Sequence, residues 1–241
     1  MIKEAIQFVL NLKTKEIVTD SKDREYILSD GYSPVTEPTA KSVGVKTLTG
    51  LIDFINKGVD PDENKKRFVH ILDYNAAVLM SEIFGPRRQR ETLIVASTDP
   101  INKMSGIWHD TEDFIIKLNS HFEHTEDYQY IANLVSSLTE TSSSEMKDDG
   151  ISQSVAVKSG ISLLTEEKVK NPVTLQPFRT FPEIDQPKIE YVFRIRKGRE
   201  GSPPECALFE ADGGKWKLDT IHKIRDFLKD QLEDSHINII A

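Results

Sequence analysis

Cysteine is almost missing from this chain, with Cys206 alone among 241 residues. A single thiol excludes an intrachain disulfide and any cysteine-rich metal site. It falls in an apolar run that reads as a strand, where a buried, inert thiol is expected. No run of eighteen apolar residues occurs, so no transmembrane helix and no membrane partner are expected. Lys3 and Glu4 interrupt the apolar residues of the start, which also lacks a basic lead and a small-residue cleavage site. Met1 to Leu12 therefore reads as a short amphipathic helix and not a signal peptide. Positive charge is in deficit: 31 Lys and Arg stand against 39 Asp and Glu, a net charge of -8. General nucleic-acid binders need clustered cations, so that class is excluded, although a local basic face is not. Catalytic signatures are absent too. Gly213-Gly214 fits neither a P-loop nor a dinucleotide fingerprint and reads as a tight turn. Ser154, Ser159 and Ser142 to Ser144 show no nucleophile elbow. No cofactor is expected.

What is present reads as an α+β chain. Its two antiparallel β-rich blocks are separated by a helical pair and closed by a C-terminal amphipathic helix. Residues 1–241 read as a single domain, with a possible sub-boundary in the polar loop 139–150. Two short strands are expected within Ile17 to Ile27, around the turn residues Asp20 to Asp23. Asp30 to Val43, with Gly31, Pro34 and Pro38, reads as a loop. Thr47 caps a helix whose stripe is Leu48, Leu51, Ile52 and Ile55. Phe68–Leu72, Ala77–Phe84 and Gln89–Ala96 form the first block, a three-strand meander. Thr111 and Thr125 each precede two acids, the signature of a helix start.

The second block carries the sharpest period. Ile189, Tyr191, Phe193 and Ile195 alternate with Glu190, Val192, Arg194 and Arg196, which specifies a half-buried strand. Before it, Val173 to Phe181 is an extended run broken by Pro177, which places it at a sheet edge or beside a bulge. Ala207 to Ala211 returns, and Asp212-Gly213-Gly214 turns the chain into the last helix. There Leu218, Ile221, Ile224, Phe227, Leu228 and Leu232 form one apolar stripe. A sheet with one apolar face needs a cover, so this helix is expected on the sheet beside it.

Three side-chain groups have chemical potential. His109, His121 and His124 lie near Asp110, Asp113 and Glu123, but no third metal ligand sits at a useful interval, so a solvated helix junction is expected. Asp148, Asp149, Glu183, Asp185, Glu210 and Asp212 lie near strand ends, where Asp ordinarily serves turns; no metal site is expected. The third group is basic. Arg194 and Arg196 leave one strand face, and Arg179 sits between Phe178 and Phe181. Arginine beside aromatic rings can grip an anion and stack a base. The plainer alternative is exposed arginines paired with carboxylates. A second basic set, Lys65, Lys66, Arg67, Arg87, Arg88 and Arg90, reads as charged hairpin tips guarding strand edges.

Several segments resemble a known family. They are Asp149-Gly150-Ile151-Ser152-Gln153-Ser154-Val155-Ala156-Val157-Lys158, then Asn171-Pro172-Val173-Thr174-Leu175-Gln176-Pro177-Phe178-Arg179-Thr180-Phe181. Val192-Phe193-Arg194-Ile195-Arg196 follows, and then Ala207-Leu208-Phe209-Glu210-Ala211-Asp212-Gly213-Gly214-Lys215-Trp216. Together they are similar to the YfdQ-like family of phage and prophage proteins, over roughly the last hundred residues and more weakly from Lys65 to Thr139. The resemblance implies a phage or prophage origin, and with it the cytoplasm of a bacterial host. It implies no catalytic residues. The expected function is that of a non-catalytic accessory protein. Its anionic ligand (a nucleotide, a nucleic acid or a host factor) would sit at Arg179, Arg194, Arg196, Phe178 and Phe181. The alternatives are a self-assembling shell or ring and a metal-assisted hydrolase. Sheet edges that double as assembly surfaces make a homo-oligomer the expected state.

Overall fold

A computed structural model describes residues 2–11, 16–28, 32–35, 39–60, 66–99, 104–139, 146–148, 153–159, 163–198 and 202–241. Its helices are α1 (Ile2–Asn11), α2 (Leu48–Asn56), α3 (Thr111–His121), α4 (Glu126–Thr139) and α5 (Lys215–Gln231). The strands of the first half are β1 (Glu16–Thr19), β2 (Glu25–Leu28), β3 (Tyr32–Pro34), β4 (Val43–Val45), β5 (Arg67–Asp73), β6 (Ala76–Ser81), β7 (Thr92–Ser97) and β8 (His109–Asp110). Those of the second half are β9 (Met146–Asp148), β10 (Gln153–Ser159), β11 (Leu163–Lys168), β12 (Val173–Leu175), β13 (Ile189–Arg196), β14 (Glu205–Glu210) and β15 (Asn238–Ile240). The α+β class expected from the sequence is the class observed. Most of the expected sub-boundary at 139–150 lies outside the described residues.

The strands form a five-stranded sheet ordered β15-β5-β6-β7-β4 and a four-stranded sheet ordered β12-β13-β14-β8, besides the smaller sheets β1-β2-β3 and β11-β10-β9. The first β-rich block is thus the expected meander β5-β6-β7, with an added strand at each edge. Both additions run parallel to their neighbours, β15 to β5 and β4 to β7. The block is therefore mixed and not purely antiparallel. The sequence hid this because β4 begins at the end of a Gly/Pro stretch and β15 is three residues long. That stretch, expected as a loop, also holds β3, which pairs with β2 and carries Pro34 at its end. The Pro-flanked strand β12 does lie at an edge of its sheet.

Two apolar cores result. One joins Phe114 and Leu118 of α3 and Ile131, Leu134, Val135 and Leu138 of α4 to Ile189, Tyr191, Phe193 and Ile195 of β13. The expected alternation along β13 is therefore realised, and the helical pair covers its apolar face. That face is full, which corrects the placement of α5. Its Ile224 and Leu228, with Leu232 just beyond it, instead pack with Leu48 and Leu51 of α2 over Val69, Leu79 and Ile94 of the five-stranded sheet. Trp216, at the start of α5, belongs to the other core. The buried stripe of α5 is Trp216, Thr220, Ile224 and Leu228, every fourth residue, while Leu218 is 56% exposed. Ahead of the helix, Gly213 and Gly214 turn the chain with φ of +66° and +83°, a region that favours residues without a Cβ.

The caps follow local chemistry. Thr47 Oγ1 accepts from Gly50 N at 3.1 Å, and Thr125 Oγ1 accepts from Tyr128 N at 3.3 Å. The cap of α3 is Asp110 and not Thr111, for its carboxylate accepts from Asp113 N at 2.8 Å. Asp127 ties α4 to the edge strand, accepting from Lys170 Nζ at 2.5 Å and from Thr174 N at 2.7 Å. Burial alone would raise its pKa; those two donors outweigh burial and hold the carboxyl below its usual range.

Beyond the short strand β12, two side-chain amides continue its work. Asn171 receives Phe193 N at 2.7 Å and donates to Phe193 O at 3.1 Å. Gln153 does the same for Ile195, at 3.1 Å and 2.9 Å. Each amide presents one acceptor and one donor, as a neighbouring strand would. Gln153 is buried. Replacing it by the similarly sized Met leaves the Ile195 N–H and C=O unpaired, at an expected cost of about 1–3 kcal/mol. The midpoint of urea unfolding should fall with an unchanged m-value. A loss of no more than a few tenths of a kcal/mol would show that this amide is not a substitute strand.

Candidate functional site

The strand β13 sends Arg194 and Arg196 to the face opposite the core, since the residues that alternate with them are buried and these two are not. On the neighbouring strand, Arg196 lies opposite Glu205 and Val192 opposite Phe209. Arg196 Nε donates to Glu205 Oε2 at 2.5 Å. Its guanidinium lies 4.2 Å from the centre of the Trp108 ring, and Trp108 meets Phe209 edge-on at 6.0 Å. One outer face of the four-stranded sheet therefore carries two cations and two aromatic rings, with one carboxylate holding Arg196 in place. Trp108 and Phe209 are not among the residues expected at a site. Trp108 lies outside any periodic run, and the edge strand β8 that carries the chain past β14 is only two residues long.

Arg179 is elsewhere. It stands at the seam between the two cores, its side chain largely buried, with Nη1 2.6 Å from Glu210 Oε1 and the guanidinium 5.1 Å from the Trp216 ring centre. Trp216 meets Tyr74 edge-on at 4.7 Å. The three arginines thus do not form one strip: β13 directs two outward, and the turn after β12 carries the third inward. The two phenylalanines part as well. Phe181 is fully buried in the α2–α5 core and has no face for a ligand. Phe178 is 37% exposed and lines a cleft of about 510 Å³ with Lys46, Asp99, Glu123, Glu183 and Asp185. One cation against four carboxylates makes that cleft unfavourable for an anion.

Among the described residues, the acids form no metal site. Glu183 Oε1 accepts from Thr49 N and Thr49 Oγ1 at 2.9 Å each, at the start of α2. Glu210 meets Arg179, and Asp212 closes the turn before α5 by accepting from Gly214 N at 2.9 Å. Asp149 lies outside the described residues, as does Lys65 of the second basic set. Of that set, Arg87 donates to Glu25 O of β2 at 2.8 Å, and Arg90 lies 5.1 Å from the Phe68 ring centre. Among the histidines, His109 Nδ1 lies 2.7 Å from Asp113 Oδ2, which also accepts from Lys117 Nζ at 2.6 Å. Lys117 first, then burial in the opposite sense and His109, leave the Asp113 carboxyl below its usual range. Burial, with Lys117 and His109 nearby, lowers the pKa of His121. His124 stacks on Tyr128 at 4.2 Å. Among the described residues, no three His, Cys, Asp or Glu side chains come together as metal ligands. Burial pushes the Cys206 thiol up to about 12, so it stays protonated and unreactive. No helix of the described residues is long and apolar enough to cross a membrane.

No family model, curated protein or solved structure matches the chain.

The two phenylalanines separate core from cleft experimentally. Phe181→Ala is expected to cost about 3–5 kcal/mol of stability by opening a cavity. Phe178→Ala should stay within about 0.5 kcal/mol of the parent. Guanidinium unfolding of both variants checks this, and equal losses would contradict the placement.

Proposed function

We propose that this chain is a non-catalytic binding protein of phage or prophage origin, of the YfdQ-like kind, acting in the bacterial cytoplasm. Its ligand is an anion that carries a flat ring, in the simplest case a nucleotide or the end of a nucleic-acid strand. The observation that supports this reading is the Arg196–Trp108 stack on the outer face of the four-stranded sheet. A guanidinium lying on an indole is held flat and keeps its charge, so it offers a phosphate an ion pair and a base a stacking surface together. Arg194 adds a second cation two residues away, and Phe209 extends the aromatic surface. Glu205 takes part of the charge of Arg196 and fixes its orientation. Glu183, Glu210 and Asp212, acids of the hydrolase alternative, each serve a local bond and give that reading no support.

Binding is measured by tryptophan fluorescence with ATP and with short single-stranded oligonucleotides. Stacking on an aromatic side chain contributes about 1–3 kcal/mol per base, so Trp108→Ala should weaken binding roughly fivefold to more than a hundredfold. Arg196→Ala should weaken it as well, and Arg88→Ala, on a distant turn, should not. The reading falls if the parent shows no saturable binding, or if both variants of the face bind as the parent does.

Assembly is a second reading, and α1 favours it. This helix leaves Ile2, Ile6, Phe8 and Val9 exposed, Ile2 to 79%. An amphipathic helix gains stability chiefly by covering such a face. A homo-oligomer that buries it should sediment as one species larger than the protomer, and Ile6→Lys should return it to protomers. Sedimentation of the parent as a monomer at micromolar concentration would remove this reading.

A further inference from the structure

The seam between the cores gathers hydrogen-bond donors that have no acceptor. The hydroxyl of Tyr191, Nε1 of Trp216 and Nη1 of Arg179 are all buried, and none makes a hydrogen bond. Tyr191 is 1% exposed and Trp216 3%. Nη1 of Arg179 lies 2.6 Å from Glu210 Oε1 as an ion pair that does not have hydrogen-bond geometry. These groups belong to one neighbourhood. Tyr191 and Glu210 are cross-strand partners, Glu210 holds Arg179, and Arg179 lies over Trp216. The phenol also feels the charge of Arg179, along with those of Glu210 and Asp212.

A buried donor without a partner costs about 1–3 kcal/mol, and native proteins avoid leaving one unexplained. Three buried groups that can each donate, of which the phenol alone can also accept, call for an acceptor from outside the chain. We infer that the seam binds a small monovalent anion of the halide class, held by the Tyr191 hydroxyl, the Trp216 indole N–H and the Arg179 guanidinium. The near-complete burial of the phenol and indole limits the occupant to a small ion. The carboxylates of Glu210 and Asp212 repel a dianion such as phosphate. Two cations temper that repulsion. Arg179 faces Glu210, and the Lys217 ammonium stands 5.9 Å from the ring centres of both Tyr74 and Trp216. Asp212 is also engaged at the start of α5, where Gly214 N and Trp216 N donate to it. Burial raises the pKa of the phenol, so it remains a donor throughout the neutral range.

The seam and the nucleotide face lie on opposite sides of the four-stranded sheet, so either can fail without the other. The test is thermal unfolding of the full chain in potassium chloride, bromide or gluconate at constant ionic strength. Chloride and bromide at about ten times their dissociation constant should raise Tm by about 3–6 °C over gluconate, with saturation. Tyr191→Phe and Trp216→Phe keep an aromatic ring and remove a donor, and each should shrink that halide-specific rise by at least half. A bromide-soaked crystal should give an anomalous peak within hydrogen-bonding distance of the Tyr191 hydroxyl. Equal melting in all three salts would overturn the inference and leave ordered water as the acceptor. So would a halide effect that both variants retain in full. If either variant fails to fold, the bromide peak in the parent protein decides the matter alone.

Discussion

One buried amide holds the two halves of this protein in register. Gln186 Oε1 accepts from Arg179 N at 2.8 Å and from Thr180 N at 3.2 Å. Its Nε2 donates to Phe181 O at 3.4 Å and Ile184 O at 3.3 Å. A loop that passes through the interior must satisfy its backbone groups, and one glutamine supplies acceptor and donor in the same plane. With its shape fixed, the loop leaves β12 in one core and delivers Phe181 and Ile184 into the other. The Thr180 hydroxyl donates to Tyr74 O at 2.6 Å, fastening the loop to the β5–β6 hairpin. The rest of the structure depends on this crossing: α5 sits over the far sheet, and Trp216 reaches back to the near one.

The crossing also explains the fate of the arginines. Arg179 lies within the constrained loop, so its side chain enters the seam, where Glu210 and Trp216 receive it. A guanidinium can be buried there because it is weakly hydrated, stacks well and has a carboxylate partner. Arg194 and Arg196 are governed by the period of β13 alone. Because Phe193 and Ile195 fill the core, a one-residue slip would drive both cations into the space under α3 and α4. The register that excludes this also sets them beside Phe209 and Trp108.

What repeats is legible in the sequence. The alternation of β13, the meander and the Thr47 and Thr125 caps can be read because each is a local pattern with a local cause. The destination of α5 cannot. Its stripe shows that it covers a sheet, and which sheet depends on α3 and α4 having already filled the nearer one. By spacing Leu218 belongs to the stripe, yet the face that is buried steps by four from Trp216. The strands β4 and β15 are hidden because three residues carry no period. At the candidate site, Arg196 is legible as an exposed strand residue. Its partner Trp108 comes from a distant segment of the chain, and only the pairing of β8 with β14 brings it there. Phe178 and Phe181 look equivalent in sequence, and the Gln186-bound loop separates them.

The proposed anion site does not conflict with an acidic chain. At physiological ionic strength the screening length is about 8 Å, so an exposed ligand feels the charges it touches far more than the net charge of the chain. On the outer sheet face those charges are Arg194 and Arg196, with Glu205 bound to Arg196 and Glu190 further along β13. Extent is what the net charge of -8 limits. A long polyanion would run off this small face onto a surface rich in carboxylates, and each added phosphate would weaken its hold. The proposed ligand must therefore gain affinity from its ring as much as from its charge. That is why Trp108 matters there as much as Arg196, and why a compact nucleotide or a strand end suits the face better than a duplex.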